Sequence, residues 1–402
     1  MNKNRTLVLA IISAAIAVML SSGIRQSFGL LLQPIGESLG TGRTVFSFAI
    51  ALSSIIYGLP LVGIIADKVG PRWVLMAGGV IYTIGLFLMP RITTANGLYL
   101  TLGVMIGVAL SATTYVVVLG AVGQLVAPER RSSVFGIITA AGSSGMFVVP
   151  PAVQLLLDNF GWQQAMLILS AVPLIIILLA LGLPNRSNPD GVSGDEIEEP
   201  FVAVLRKAGI NKNYWLLITG FFVCGFHVTF IATHLPAFLT DNGLAPFVGA
   251  GALSMIGGFN MAGSVVFGWL GDRFRKKYLL SFIYLMRAVV IALFIMLPIT
   301  STSALVFGGA MGLLWLSTVP LTSGAVAQIF GVRYLSTLYG IVFFSHQVGS
   351  FLGVWLGGWL YDTTGTYDVV WYLSIVLGVV ASLVHLPMVE QPVRKVQPAG
   401  SS

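Results

Sequence analysis

Twelve long runs of predominantly apolar residues leave this chain few ways to fold. They cover 6–32, 43–66, 72–90, 98–126, 132–157, 161–183, 214–240, 247–270, 277–298, 303–329, 335–361 and 366–389. A membrane-crossing helix needs about 20 such residues, whereas a crossing strand needs about 9–11. Each run therefore reads as a transmembrane helix, and the predicted fold class is an all-α membrane protein. Composition agrees: 56% of the 402 residues are hydrophobic and 9% are charged, against about 25% charged in an ordinary soluble domain. The net charge of +7 does not point to nucleic acid, because the basic residues sit in short connections between apolar runs. The 47 glycines, many of them inside the runs, let neighbouring backbones approach closely in a bundle. Cys224 is the single cysteine, so no disulfide is available within the chain. The start, Met1-Asn-Lys-Asn-Arg5 followed by an apolar run without a small-residue cleavage site, reads as a retained first helix.

Lysine and arginine set the expected orientation. Lys3, Arg5, Lys68, Arg72, Arg130, Arg131, Arg186, Arg206, Lys207, Lys212, Arg273, Arg275, Lys276, Lys277, Arg333, Arg394 and Lys395 fall on one side, and Arg43 and Arg91 on the other. This asymmetry predicts cytoplasmic termini, in the inner membrane of a bacterial cell. The polar stretch holding Asn188-Pro-Asp-Gly191, Asp195, Glu196, Glu198 and Glu199 separates six runs from six. The expected organisation is a six-helix bundle over 1–184, a cytoplasmic linker over 185–213 with a short interfacial helix near 200–208, a second bundle over 214–391 and a tail over 392–402.

The two halves repeat. Ser27-Phe28 and Pro34 recur as Thr229-Phe230 and Pro236, a shift of 202; Gly120 and Gln124 recur as Gly324 and Gln328, a shift of 204. Ser132-Ser-Val-Phe-Gly-Ile137 recurs as Ser336-Thr-Leu-Tyr-Gly-Ile341, Gly145 as Gly349 and Gly161 as Gly365. Equivalent helices are six spans apart, so the repeat is parallel, and a binding site is expected between the halves near the bilayer midplane.

The second and third runs are joined by Gly63-Ile-Ile-Ala-Asp67-Lys68-Val-Gly70-Pro-Arg72, and the eighth and ninth by Gly268-Trp-Leu-Gly-Asp272-Arg273-Phe-Arg-Lys276-Lys277. Both fit G-x-x-x-D-[RK]-x-x-x-[RK]. This resembles the signature loop of the major facilitator superfamily, at the right place in both halves, and the resemblance covers essentially the whole chain. It implies twelve transmembrane helices in two pseudo-symmetric six-helix bundles and transport by alternating access. Gly63, Asp67, Arg72, Gly268, Asp272 and Arg273 become candidate gating residues: glycine permits a close helix crossing, and aspartate accepts hydrogen bonds from a helix N-terminus and attracts basic side chains. Topology-setting charge alone would explain the basic residues but not the repeated Gly and Asp.

Few charges lie within the runs. Arg25 is in the first, about a dozen residues into the aligned spans, and its repeat partner is His227. A basic group near mid-membrane costs about 2.5–3.5 kcal/mol on insertion scales and normally faces a cavity with a partner. All fourteen acidic residues fall in loops or at span ends, so a bound anion would supply the missing charge. Backbone carbonyls, Gln26, water or snorkelling could satisfy Arg25 instead. Arg287 falls in the ninth run, which by resemblance belongs to an outer ring of helices 3, 6, 9 and 12, and reads as structural. His227, His234 and His346 are candidates for proton coupling; a hydrogen-bonded neutral imidazole is the plainer alternative. Tyr115, Asn260 and Trp315 lie on runs able to line a cavity, and packing is the commoner role for each. His385 reads as structural. The substrate-binding candidates are Arg25, His227, His346, Tyr115 and Asn260; no metal site and no cofactor is expected.

Gly23-Ile-Arg25-Gln-Ser-Phe-Gly-Leu-Leu-Leu-Gln-Pro34, Gly161-Trp162 and His234-Leu-Pro-Ala-Phe238 resemble the bacterial monocarboxylate-porter and oxalate/formate-antiporter neighbourhood. Those branches carry an arginine in helix 8, where this chain has Ser264, and the oxalate branch a lysine in helix 11, where it has His346. Either Arg25 with His346 replaces that pair, or the substrate is not a simple carboxylate. The expected function is secondary transport of a small organic anion, a monocarboxylate, by proton symport or exchange, in a protein working as a monomer among membrane lipid. The alternatives are uptake of a neutral or aromatic compound such as a vitamin, and multidrug efflux. Efflux would suit a Gly-Pro-rich fifth helix, which Gly142-Ser-Ser-Gly145-Met-Phe-Val-Val-Pro150-Pro151 matches only in part. No nucleophile elbow, P-loop or paired His/Glu metal motif is present, so an enzyme is not expected.

Overall fold

The computed structural model describes residues 3–59, 61–123, 125–126, 128–183, 201–330 and 335–391. The acidic part of the linker, the tail expected over 392–402, Gln124, Arg186 and Arg333 lie outside the described residues. The described chain is helical throughout, and each crossing keeps its backbone hydrogen bonds inside its own segment, as hydrocarbon demands.

The first half comprises α1 (Thr6–Leu39), α2 (Arg43–Gly58), α3 (Pro71–Arg91), α4 (Ala95–Leu119), and the segment Val134–Ala180, which supplies both α5 and α6. The second half comprises α7 (Lys212–Asp241), α8 (Pro246–Arg273), α9 (Lys276–Met296), α10 (Ser301–Phe330), α11 (Thr337–Thr364) and α12 (Asp368–His385). Ten segments are long and apolar enough to cross a membrane unaided. The bend at Gly161 divides one of them into two crossings. The shorter α2 is broken at Leu59 and continues in Leu61–Val69. Counted this way, the helices are consistent with twelve crossings. A short helix, Phe201–Ile210, precedes α7, close to the interfacial helix expected near 200–208.

Several ends differ from the apolar runs. α1 extends to Leu39 because a 3-10 turn at Phe28–Leu31 lets the chain carry Pro34 without stopping. α4 contains a π-helical stretch, Tyr99–Met105, and breaks at Thr114, whose extended backbone (φ −108°, ψ −159°) interrupts an otherwise apolar run. α10 breaks between Leu314 and Thr318. Hydropathy is blind to such breaks because the residues on both sides remain apolar.

The repeat is visible in the backbone. Gly161 (φ 72°) and Gly365 (φ 77°) turn the chain from α5 to α6 and from α11 to α12, a conformation that a side chain resists. Gly145 of α5 lies against the Met19 carbonyl of α1, and Gly349 of α11 against the Phe222 carbonyl of α7. Both members of each contact are thus related by the repeat. Large apolar side chains of α3, α6, α9 and α12 face outward, among them Ile84, Leu178, Leu293 and Leu383, as a lipid-facing outer ring requires.

The two mid-helix breaks fall at equivalent places, Thr114 and Leu316. Non-helical backbone at membrane depth must be satisfied by protein groups. At α10, Asn260 Oδ1 accepts from Leu316 N (3.0 Å), while Arg287 donates through Nε (3.2 Å) and Nη2 (2.6 Å) to the Leu314 carbonyl and through Nη2 to that of Trp315. Arg287 is fully buried, so its charge is engaged in holding the break. Replacing Arg287 with methionine leaves these carbonyls without the donor. It should lower stability by about 2–4 kcal/mol, read as a lower Tm of the purified protein; an unchanged Tm would mean that the break is held by other contacts.

Candidate functional site

Arg25 is half-buried on α1, with its guanidinium carbon 4.9 Å from the centre of the Tyr57 ring on α2. Among the described residues it has no carboxylate partner: the salt bridge found is Arg43 with Asp241. A cation–π contact satisfies the face of the guanidinium and leaves its N–H edges for an acceptor.

Tyr57 carries the contact into the second half. Its ring packs edge-on to Phe343 of α11 (5.6 Å); Phe343 stacks on His346 (5.9 Å, 5° between planes), and Phe221 of α7 lies 5.0 Å from His346. Arg25 and His346 therefore stand at two ends of one aromatic ladder that crosses the interface. His346 Nδ1 lies 3.4 Å from Gln347 Nε2 and 3.5 Å from Ser350 Oγ, and the buried Cys224 thiol also lies within hydrogen-bonding reach of the ring. Two neighbours in sequence, Gln26 and Gln347, each bury a side-chain atom, Nε2 and Oε1 respectively, with no hydrogen-bond partner. Thr229 Oγ1 on α7 is a third. Buried polar atoms left unmade are costly; Gln26 follows Arg25 in sequence, and the Gln347 side chain packs on Gly58, next to Tyr57.

Tyr115 follows the α4 break, and its hydroxyl lies beside Gly142 of α5, which Val18 of α1 also approaches. The other candidates are engaged elsewhere. His227 is buried, with Nε2 2.8 Å from the Ser374 carbonyl of α12, and its Nδ1 has no partner. Asn260 is buried, donates to Ser143 Oγ of α5 (3.0 Å) and accepts at the α10 break. Trp315 sits in that break, 1% exposed. His385 stacks on Tyr284 and bonds the Ala381 carbonyl. Tyr57 and Phe343 carry no sequence signal of a site, and Gln26, an alternative partner for Arg25 in sequence, buries Nε2 with no hydrogen-bond partner. For Gln347, its place next to His346 is the one available signal.

On the side that carries Arg43, the halves are tied together. Arg43 makes a bidentate pair with Asp241 of α7 (2.7 Å to each oxygen) and donates to the Tyr367 hydroxyl (2.7 Å). Asp362 of α11 accepts from the backbone N–H groups of Arg43 and Thr44, both at 2.8 Å, and from the Thr44 hydroxyl at 2.6 Å. Gln33 of α1 also donates to Asp241. A cavity of about 280 Å³ opens near this end between α1, α5, α7 and α8. Glu37 and Asp158 line it, which makes it unsuited to an anion.

On the opposite, basic side, two polar ties among the described residues each lie within one half. Arg72 donates to the Leu183 carbonyl (2.9 and 2.7 Å), and Lys276 to Gln328 Oε1 (3.1 Å). Asp272 and Arg273 are exposed, and the Arg273 guanidinium lies 3.7 Å above its own helix's Trp269 ring. A side chain at Gly268 would stand in open space, and Gly271 is the glycine packed closely, on Leu321. In this conformation Gly268 is not at a close helix crossing. Gly63 is half-buried; the Asp67 side chain lies outside the described residues. The contacts between the halves close the Arg43 side in this conformation.

The described fold and chain match known transporters. A family model described as Major Facilitator Superfamily matches residues 14–319 and 260–402. Monocarboxylate transporter 12 of Mus musculus is 27% identical over 372 residues, covering 83% of this chain and 76% of that protein. The uncharacterized MFS-type transporter YcxA of Bacillus subtilis is 24% identical over 377 residues, covering 91% of each. The crystal structure of a bacterial homologue of the human lysosomal transporter Spinster, inward-facing and occupied, aligns with a TM-score of 0.75 over 96% of this chain and 97% of that one, at 15% identity. That likeness is one of fold. The chain belongs to the Major Facilitator Superfamily.

Proposed function

We propose that this membrane transporter moves a small organic anion, a monocarboxylate, by alternating access, as a proton symporter or an exchanger. The observation that carries the reading is Arg25: a half-buried cation on a membrane helix that lies over the Tyr57 ring and, among the described residues, has no carboxylate partner. A carboxylate on its N–H edges would complete the charge and gain bidentate hydrogen bonds. Tyr115 lies near it on the first half and His346 on the second half, across the Tyr57–Phe343 rings; His227 and Asn260, held by Ser374 and Ser143, would support the site from behind. His227, His234 and His346 remain the proton-coupling candidates. The names of relatives such as monocarboxylate transporter 12 favour the same substrate class.

In this reading the basic side is the cytoplasm, both termini lie there, the membrane is a bacterial inner membrane, and the monomer is the working unit. The halves over 1–184 and 214–391 rock about the site, with the Gly63–Arg72 and Gly268–Arg273 loops gating the basic side.

Thermal unfolding of the native protein with pyruvate, lactate or benzoate, each against its neutral amide, tests the reading. A solute that binds only the folded state raises apparent stability. At least one acid should raise Tm where its amide does not. Equal shifts for acid and amide would refute it. His346→Ala should alter the pH dependence of uptake; an unchanged profile would remove His346 from coupling. One observation favours a second reading: Ser264 replaces the arginine of the carboxylate branches, and the site is walled by Tyr57, Phe343 and Phe221. An aromatic or neutral compound such as a vitamin fits those rings.

A further inference from the structure

The tie on the Arg43 side contains a histidine whose hydrogen bonds admit only one protonation state. His234 of α7 is fully buried. Its Nε2 lies 2.8 Å from the Val354 carbonyl of α11, and its Nδ1 lies 3.0 Å from the Tyr367 hydroxyl. A carbonyl only accepts, so Nε2 carries a hydrogen. In the neutral ring Nδ1 is then a bare acceptor, and Tyr367 must donate to it. The same phenol oxygen accepts from Arg43 Nη1 at 2.7 Å. The order of donors is therefore fixed: Arg43 to Tyr367, Tyr367 to His234, His234 to Val354. Tyr367, in the turn before α12, is kept as a phenol because burial pushes its pKa above the usual range, against the pull of Arg43.

We propose that His234 is a proton-binding site within this latch, and that proton uptake at Nδ1 releases it and favours opening of the Arg43 side. A proton from solvent takes the Nδ1 lone pair that accepts the Tyr367 hydrogen. Tyr367 then faces two donors, and two cations, Arg43 and His234, flank one phenol oxygen. The groups facing the ring are accounted for: Arg43 and Ser47 from α2, Val354 and the Asp362 carboxylate from α11, Tyr367 before α12, and Phe230 and Asp241 on α7. Asp241 is already spent on Arg43, and Asp362 on the N-terminus of α2. In the open state water reaches the ring and solvates the added charge. The proton thus binds the open state better, and acid shifts the population toward it. The latch recloses only around a neutral ring, so the proton leaves His234 as the Arg43 side closes. The proposal rests on alternating access and is independent of what binds at Arg25.

Pulsed dipolar spectroscopy tests it. Spin labels at Ser38→Cys and Asn242→Cys, both exposed and on opposite halves, are placed in a Cys224→Ser background. Distances are recorded in lipid nanodiscs at about pH 8 and about pH 5, which bracket histidine titration. The long-distance population should grow severalfold in acid with His234 intact, and should not respond to pH in His234→Gln, whose amide can still donate and accept. Arg43→Gln should favour the long distance at both pH values. Acid opening that persists in His234→Gln would overturn the proposal and assign the effect to Asp241 or Asp362. No acid response with His234 intact, alongside opening in Arg43→Gln, would overturn it while sparing the latch. A closed Arg43→Gln protein would refute the latch and this reading of the closed state together. Should His234→Gln not fold, Tyr367→Phe, which severs His234 from Arg43, must lose the acid response; retaining it counts against the proposal.

Discussion

Arg25→Ala will weaken carboxylate binding on the order of a hundredfold, about 3 kcal/mol, which is the scale of removing one member of a buried hydrogen-bonded charge pair. The ligand-free protein should unfold within about 1 kcal/mol of the native one, because the Tyr57 ring is the described contact that Arg25 gives up. Arg25→Lys separates charge from geometry. A lysine keeps the cation but loses the planar fork, so it should recover part of the affinity and not all of it. Titration of the three proteins with the best acid from the thermal screen measures this. Native-like affinity in Arg25→Ala would place the anion elsewhere.

The second large effect is on assembly. At Gly145 and Gly349 any Cβ would run into a backbone carbonyl, of Met19 and Phe222 respectively. A flexible side chain could give way, but a helix backbone cannot without moving the helix. Gly145→Val and Gly349→Val should each therefore cost at the upper end of overpacking penalties, about 3 kcal/mol or more. The expected result is a sharp loss of monodisperse protein on size-exclusion chromatography and a lower Tm for what remains. Gly136→Ala and Gly340→Ala, where an added Cβ meets nothing within 4 Å, should leave both unchanged. Native-like yield from the valine variants would mean that α1–α5 and α7–α11 do not cross as closely as described.

These glycines show what a sequence can disclose about this molecule. Gly145 and Gly349 stand out in the repeat because close packing of equivalent helices demands the same small residue twice. Membrane helices are legible for a related reason: hydrocarbon forces long apolar segments whatever the function. The equivalent turns at Gly40 (φ 59°) and Gly243 (φ 79°) went unread, because few neighbouring residues repeat there.

The site was legible only in part. Arg25 stood out because charge in a membrane is expensive. Its partner Tyr57 did not, since aromatic residues are common in every span. Arg43 passed as a topology residue at a span end. Asp241 and Asp362, equally at span ends, carry no local pattern that ties them to a residue some 200 or 320 positions away. Contacts between halves depend on how the bundles sit against each other, and periodicity within one helix holds no record of that. The breaks at Thr114 and Leu316 are hidden because the residues on both sides remain apolar, and at α10 the groups that satisfy the break, Asn260 and Arg287, come from other helices.

Counterflow in proteoliposomes tests the central claim most directly. Vesicles loaded with an unlabelled carboxylate and diluted into a trace of the labelled acid should accumulate label transiently and saturably with the native protein, and Arg25→Ala should abolish the overshoot. A saturable overshoot for a neutral or cationic solute that survives Arg25→Ala, with none for any carboxylate, would contradict the account.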